Sequence, residues 1–340
     1  MIRKRIREKI RWLFPIVAVI CIIFLSFAIG NLKNKAYDQL IADRWADDSI
    51  PYHQITAFSN AMSREEISNL RNQIAMGLNA ASYTEESTSG RLWADAYALF
   101  EIDTVSRSDQ VSVKSLGNVE IVGAGGDFFL FHPLTLVNGC YFSKDDVMHD
   151  RVLLDKELAW HLFGAYDIAG KQIQIQNQSF TVAGVYDAGE DEDLSYAKGG
   201  RCYLYMDDAA FQKLYPDTPV RCYEVVLPNA VKNFARNLVK DHVSEEMVVI
   251  DNTERFGVFR LLKKYKSLKK SLMHTDTVSY PYWEMLAVAT EWKLLCMYVV
   301  RALLFICVMI WMCIRYNPKN KVESKARGWY DFHIHNCETQ

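Results

Sequence analysis

Two uncharged apolar runs, one near each end, frame the chain. Trp12 to Gly30 carries no charge and follows Arg3, Lys4, Arg5, Arg7, Lys9 and Arg11. At ~1.5 Å per residue it is long enough to cross the hydrocarbon core of a bilayer, and the basic cluster before it places the N-terminus in the cytoplasm. Ala28-Ile29-Gly30 has the small-residue look of a signal-peptidase site, but the run exceeds the usual signal core and a second run follows, which favours a retained anchor. That second run is Leu294–Ile314, interrupted by Arg301. Ala302–Ile314 alone would reach only ~20 Å, so the span includes Arg301. An arginine there either snorkels to the outer surface or pairs with an acid from a neighbouring helix, and the first span offers no acid. Arg315, Lys319, Lys321, Lys325 and Arg327 follow, marking a cytoplasmic tail.

These runs divide the chain into residues 1–11, a span at 12–30, an extracytoplasmic region at 31–285, a span at 294–314 and a tail at 315–340. The spacing of Leu32, Tyr37, Leu40, Ile41 and Trp45 predicts a helical stalk over 31–50, ended by Pro51. Ser63-Arg64-Glu65-Glu66 has capping-box spacing and predicts a helix with Ile67, Leu70, Ile74 and Leu78 on its packed face. Residues 80–90 read as an exposed loop. Strands are predicted at Trp93–Ser106, Val111–Ser115, Val119–Gly123, Arg201–Met206, Cys222–Leu227 and Met247–Asp251, with helices at Asp207–Leu214 and Asn229–Asp241. Mixed helices and strands point to an α+β domain rather than a sandwich.

Phe256–Met273 is strongly amphipathic. Val258, Leu261, Leu262, Tyr265, Leu268 and Leu272 form one stripe, and Arg260, Lys263, Lys264, Lys266, Lys269 and Lys270 cover the rest. It is either a second stalk (256–273) with its charges in water or a helix lying on anionic lipid. Ser279-Tyr280-Pro281-Tyr282-Trp283-Glu284 reads as an interfacial segment ahead of the second span, since Tyr and Trp favour the headgroup level.

The densest local signal lies between Gly139 and Asp187. Val152–Leu154 fits a buried strand, Asp155 can cap a short helix through Leu162, and Gly164 can close it. Gln172–Ile175 and Ser179–Tyr186 alternate around Gln176-Asn177-Gln178, the pattern of a β-hairpin. The order Gly139, Phe142, Asp145, Val152, Leu158-Ala159, Leu162-Phe163-Gly164, Asp167, Gly170-Lys171, Ile173, Ile175, Phe180, Val182 and Gly184-Val185 resembles the extracytoplasmic core domain of MacB-type ABC transporter permeases, the FtsX-like group. The resemblance implies a MacB-like core of mixed strands and helices, moved by stalk helices when a cytoplasmic ATPase closes on ATP. It also implies partners: a separate ATP-binding subunit and another permease subunit supplying helices. The family continues into a further pair of spans, whereas this sequence ends shortly after its second apolar run.

Composition then removes alternatives. The net charge of −2, without a basic stripe interleaved with aromatics, argues against nucleic acid. Gly123-Ala124-Gly125-Gly126 lacks the Gly-Lys-Ser/Thr ending of a phosphate loop, and the glycines are read as turning the chain before Phe128–Phe131. The acidic run after Gly189 lacks the alternate spacing of an EF-hand and reads as a solvated loop. Neither HExxH nor GxSxG occurs, and His333, His335 and Cys337 of the tail are weak as metal ligands. Cys202 and Cys222 fall in predicted strands and are either a cross-strand bridge or two buried thiols.

No catalytic residue, cofactor or metal site is therefore expected. The chain reads as a non-catalytic, two-span subunit of a MacB/FtsX-like transporter, relaying motion between membrane helices and the outer domain or contacting cargo there. Arg301 is the candidate inter-subunit contact. The competing reading is a membrane-anchored binding, sensor or scaffold module without transport activity.

Overall fold

The computed structural model describes residues 2–45, 50–83, 91–107, 114–143, 146–189, 191–253, 255–272 and 278–316. The chain divides into a core unit, residues 36–291, and a second unit made of 1–35 and 292–340. Helix α1 (Ile2–Asn34) is followed by a 3-10 turn at Tyr37–Gln39 and a short α2 (Ile41–Trp45). Then come β1 (Tyr52–Met62), α3 (Arg64–Ala80), β2 (Ala94–Arg107), β3 (Ser115–Gly126), α4 (Phe128–Phe131), β4 (Thr135–Gly139), β5 (Arg151–Asp155) and α5 (Lys156–Phe163). The chain continues through β6 (Gln172–Ile175), β7 (Gln178–Asp187), α6 (Glu192–Lys198), β8 (Tyr203–Asp207), α7 (Asp208–Leu214), β9 (Val220–Pro228), α8 (Phe234–Lys240) and β10 (Val248–Asp251). Last are α9 (Val258–Leu272) and α10 (Tyr282–Tyr316).

The strands of the core unit form one ten-stranded sheet in the order β10-β1-β9-β2-β3-β8-β5-β7-β4, with β6 pairing with β2 and β7. Only β3–β8 and β5–β7 run parallel. Because side chains alternate along each strand, the sheet buries two faces. Ile55, Leu99, Ile121 and Leu154 enter one core with Ile67, Leu158 and Phe211, whereas Phe58, Phe100, Val122 and Leu153 enter the other with Ile41, Phe128 and Trp283. This is the expected α+β domain.

Local chemistry accounts for most of the elements. Ser63 and Glu66 close the reciprocal capping box of α3, whose buried face is Ile67, Leu70, Ile74 and Leu78. Asp155 caps α5, and Gly164 ends it at φ 68°. Gln176 and Asn177, at φ 47° and 64°, make the two-residue left-handed turn that matches the twist of the β6–β7 hairpin. Gly126 turns the chain at φ +66°, but Gly123 and Gly125 lie within β3, where they leave room for the rings of Phe211 and Tyr97. The acidic run does not stay a loop, because Asp191 caps α6. The expected helix over 229–241 shortens to α8. The expected strand at 111–115 falls largely outside the described residues, as do 84–90 of the expected loop, Asp145, and the tail with His333, His335 and Cys337.

Two expectations are corrected, and the alternatives left open for Cys202 and Cys222 are decided. The stalk at 31–50 is not one helix: α1 ends at Asn34, and the following turn and α2 bury Gln39 and Ile41 in the core unit. The Gln54 amide ties the turn to the start of α2, donating to the Asp38 carbonyl (2.7 Å) and accepting from Ile41 N–H (3.2 Å). Tyr280, Tyr282 and Trp283 are not a headgroup belt. They pack on the second core, with Trp283 2% exposed. Cys202 and Cys222 are free thiols, because they enter opposite faces of the sheet.

Leu13–Asn34 of α1, in the second unit, and Tyr282–Arg315 of α10, whose first ten residues belong to the core unit, are long and apolar enough to cross a membrane. Only 17% of the apolar window of each is buried, unlike a soluble protein's core helix. Phe24, Phe27, Leu303 and Phe305 are all more than half exposed, a surface suited to lipid. Lys33 of α1 lies over the Tyr298 ring of α10 at 5.8 Å.

Gly139 ends β4 at φ +82°, where an added Cβ would stand 2.1 Å from the Ala183 carbonyl oxygen. Left-handed strain alone costs ~1–3 kcal/mol, and the backbone clash adds to it. Gly139→Ala therefore lowers the thermal unfolding midpoint of the purified chain, whereas Gly164→Ala, with open space around it, lowers it less.

Candidate functional site

The unusual feature of the core unit is a continuous polar network buried beside the second core. Its hub is Arg255, 3% exposed, which follows β10 and precedes α9. Its guanidinium donates two bonds to Glu284 (2.8 and 2.7 Å) and one from Nε to Glu291 (2.7 Å), both on the opening turns of α10. Nη1 also reaches the side-chain oxygens of Gln39 (3.1 Å) and Asn252 (3.0 Å). Lys264 of α9 donates to both oxygens of Glu291 (3.0 and 3.1 Å). Two cations thus meet two carboxylates, so the node carries no net charge. Burial alone would lower the Arg255 pKa, but Glu284 and Glu291 outweigh it and raise it further.

Asn252 carries the network onward. Its amide donates to Thr56 Oγ1 (2.8 Å), which donates to Glu224 Oε1 (3.1 Å). Glu224 Oε2 bonds His132 Nε2, and His132 Nδ1 lies 3.2 Å from Asp38. Burial would lower the His132 pKa, yet the charges of Glu224 and Asp38 hold it up to about 10. The ring rests 4.4 Å from the Trp283 ring, where an imidazolium gains cation–π attraction. His132 is therefore a protonated structural cation near neutral pH and cannot serve as a general base.

Beside this network lies a cleft of about 780 Å³. Tyr280, Tyr282 and Met285 form one wall, Phe100 and Tyr203 belong to the sheet, and Glu120, Arg201 and Arg221 supply charge. Burial raises the Glu120 pKa despite the arginines, of which Arg201 bonds it at 3.0 Å. The Tyr280–Met285 segment thus lines the cleft while its Trp283 and Glu284 are buried in the core and the network.

Other clusters are structural. Asp155, Glu157 and Cys202 stand close enough to share a metal. However, Asp155 already accepts from Leu158 N–H, Tyr203 N–H and Lys198 Nζ, at 2.7, 2.8 and 2.9 Å. Burial also pushes the Cys202 thiol up to about 12, so it offers no thiolate at neutral pH. Among the described residues, no activated nucleophile stands beside a free base.

Arg301, the candidate contact, is exposed on α10 and forms no ion pair among the described residues. Sequence reasoning did not reach Arg255, Glu284, Glu291, His132 or Glu224. One trace was available: Glu284 and Glu291 are seven apart, hence on one helix face, just ahead of the apolar run.

The core unit is thus an α+β domain flanked by two candidate membrane spans. The chain belongs to the family of the MacB-like periplasmic core domain, whose profile matches residues 16–238. Over 70 residues it is 37% identical to the macrolide export ATP-binding/permease protein MacB of Chromobacterium violaceum, covering 20% of this chain and 11% of that protein. The match thus spans about a tenth of that relative's length. Two crystal structures are also similar. The periplasmic region of MacB from Actinobacillus actinomycetemcomitans has TM-score 0.40 and 15% identity, over 65% of this chain and 92% of that one. The extracellular domain of the noncanonic ABC-type transporter YknZ from Gram-positive bacteria has TM-score 0.35 and 16% identity, over 58% and 99%.

The His132 shift has a defined sign. Its folded pKa exceeds the ordinary value of 6.5, so its contribution to stability is complete below pH 6.5 and is lost as pH rises toward 10. Unfolding midpoints measured between pH 6.5 and 7.5, below thiol and phenol ionisation, should fall with pH. His132→Gln should flatten that slope.

Proposed function

We propose that this chain is a non-catalytic membrane subunit of a MacB/FtsX-like ABC transporter, and that it relays motion between its membrane helices and its outer core domain. The Arg255 node carries the reading. One buried guanidinium holds the turn after α1, the loop after β10 and the opening of α10, so displacing the opening of α10 within the core unit breaks buried ion pairs. Breaking such a pair costs ~3–5 kcal/mol. Family membership supports the same class. The 340-residue sequence holds no Gly-x-x-x-x-Gly-Lys-Ser/Thr, and this reading assigns ATP binding to a separate subunit. Both termini lie in the cytoplasm and the core unit outside, as the basic flanks of the two apolar runs favour. Arg301, a charge on an apolar exposed helix surface, contacts a second permease subunit.

The cleft gives substance to a second reading, an anchored binding or sensor module with no transport stroke. Its aromatic wall is continuous with the start of α10, so an occupant could be sensed without ATP.

Affinity purification of the full chain in mild detergent separates the two. The transporter reading expects an ATP-binding subunit to accompany it, and recovery of the chain alone returns the molecule to the sensor class. Arg301→Leu should lose a second permease subunit but keep the ATPase; unchanged composition removes the role given to Arg301. Arg255→Lys keeps the charge but not the fork that grips Glu284, Glu291 and Gln39 together. It should leave the complex assembled while abolishing ATP-dependent changes in hydrogen exchange across residues 52–62. If those changes persist, the node does not transmit.

A further inference from the structure

We infer that α9 lies in the headgroup layer of the bilayer and binds anionic lipid. Among the described side chains, one side of the helix carries its contacts to the core unit. Leu261 is fully buried, Arg260 donates to the Thr253 carbonyl at 2.7 Å, and Lys264 grips Glu291. The other side exposes Phe259 at 87%, Tyr265 at 53% and Leu262 at 52%. Leu268, Leu272, Lys266, Lys269 and Lys270, which extend the pattern in the sequence, lie outside the described side chains.

Three observations select the occupant of this face. First, α9 contains Arg260, Lys263, Lys264, Lys266, Lys269 and Lys270 and no acidic residue. A second copy of the same helix would meet it with like charge, whereas a partner both apolar and anionic satisfies both kinds of side chain. Second, water is a poor neighbour for a phenylalanine, a leucine and a tyrosine clustered on one short helix face. Third, the level is fixed by the chain itself. Glu291, which holds Lys264, is followed by Trp292 and Lys293 and then by the apolar run of α10. Tryptophan and lysine at the end of a span mark the headgroup region, so the Lys264–Glu291 pair stands at that depth. Lipid phosphates then neutralise the lysines while Phe259 and Leu262 enter the acyl boundary.

The test uses the full chain in nanodiscs, with all cysteines except the buried Cys202 and Cys222 changed to serine. An environment-sensitive fluorophore is attached through Phe259→Cys, Lys263→Cys or, as an insertion control, Phe305→Cys. Nanodiscs are made of phosphatidylcholine alone or with phosphatidylglycerol, each with and without spin-labelled lipid. The probe at 259 should shift to the blue and be quenched by spin-labelled lipid in phosphatidylglycerol discs, with a loss of quenching in high salt. The probe at 263 should stay in a polar setting. With the probe at 259, Lys263→Gln should lower the ratio of lipid-inserted to water-exposed probe about fivefold. A water-exposed probe at 259 beside a quenched control at 305 overturns the inference, and so does a blue-shifted probe that lipid does not quench, which would mean protein contact. An unquenched control at 305 removes the membrane span and the inference together.

Discussion

A guanidinium sealed from water beside two carboxylates is the constraint on which the region beside the second core depends. Taking Arg255, Glu284 and Glu291 out of water costs several kcal/mol per ion, and their attraction offsets this only if the geometry is satisfied throughout. Here it is: the fork meets Glu284 with two bonds, Nε takes Glu291, and Gln39 and Asn252 accept the rest. A node of this kind adds little net stability over well-packed apolar residues. What it supplies is specificity, because any arrangement that left one of these charges unpaired would bury it uncompensated. The turn after α1 and the start of α10 are thereby held in one register within the core unit.

The aromatic side of the same region serves the same end by different physics. Trp283 fills the second core against Phe100, Phe128 and His132, while its neighbour Tyr282 bonds Tyr205 through the hydroxyl at 3.0 Å. The first turn of α10 therefore belongs to the domain, although the helix it begins becomes apolar a few residues later. The cleft beside it is bounded by that turn, so anything bound there would touch the element that the ion pairs hold. This continuity is what the proposed relay uses.

Elements with short-range causes were legible in the sequence. The capping box at Ser63, the stop at Gly164 and the hairpin around Gln176-Asn177 each depend on residues within a few positions of one another, so their chemistry could be read directly. The two apolar runs were equally plain, and so was the ordered set of small signals between Gly139 and Asp187 that pointed to the family. Reading failed where distant contacts overruled local periodicity. Leu32 to Trp45 repeats at helical spacing, yet the Gln54 amide and the burial of Ile41 break the helix after Asn34. The Tyr280–Trp283 segment has the composition of a headgroup belt, yet the core had a place for its rings.

By itself, the order of residues determined that this protein has a long apolar run near each end and an α+β domain between them, because hydrophobic period and capping act over a turn or two of chain. Only the tertiary structure decided that Arg255 meets Glu284, Glu291 and Gln39, and that His132 is locked between Glu224 and Asp38. Those partners stand as much as 216 positions apart, and no local pattern records which charge a buried charge will find. It is the closing of the sheet that brings them together, and their desolvation that makes the pairing obligatory.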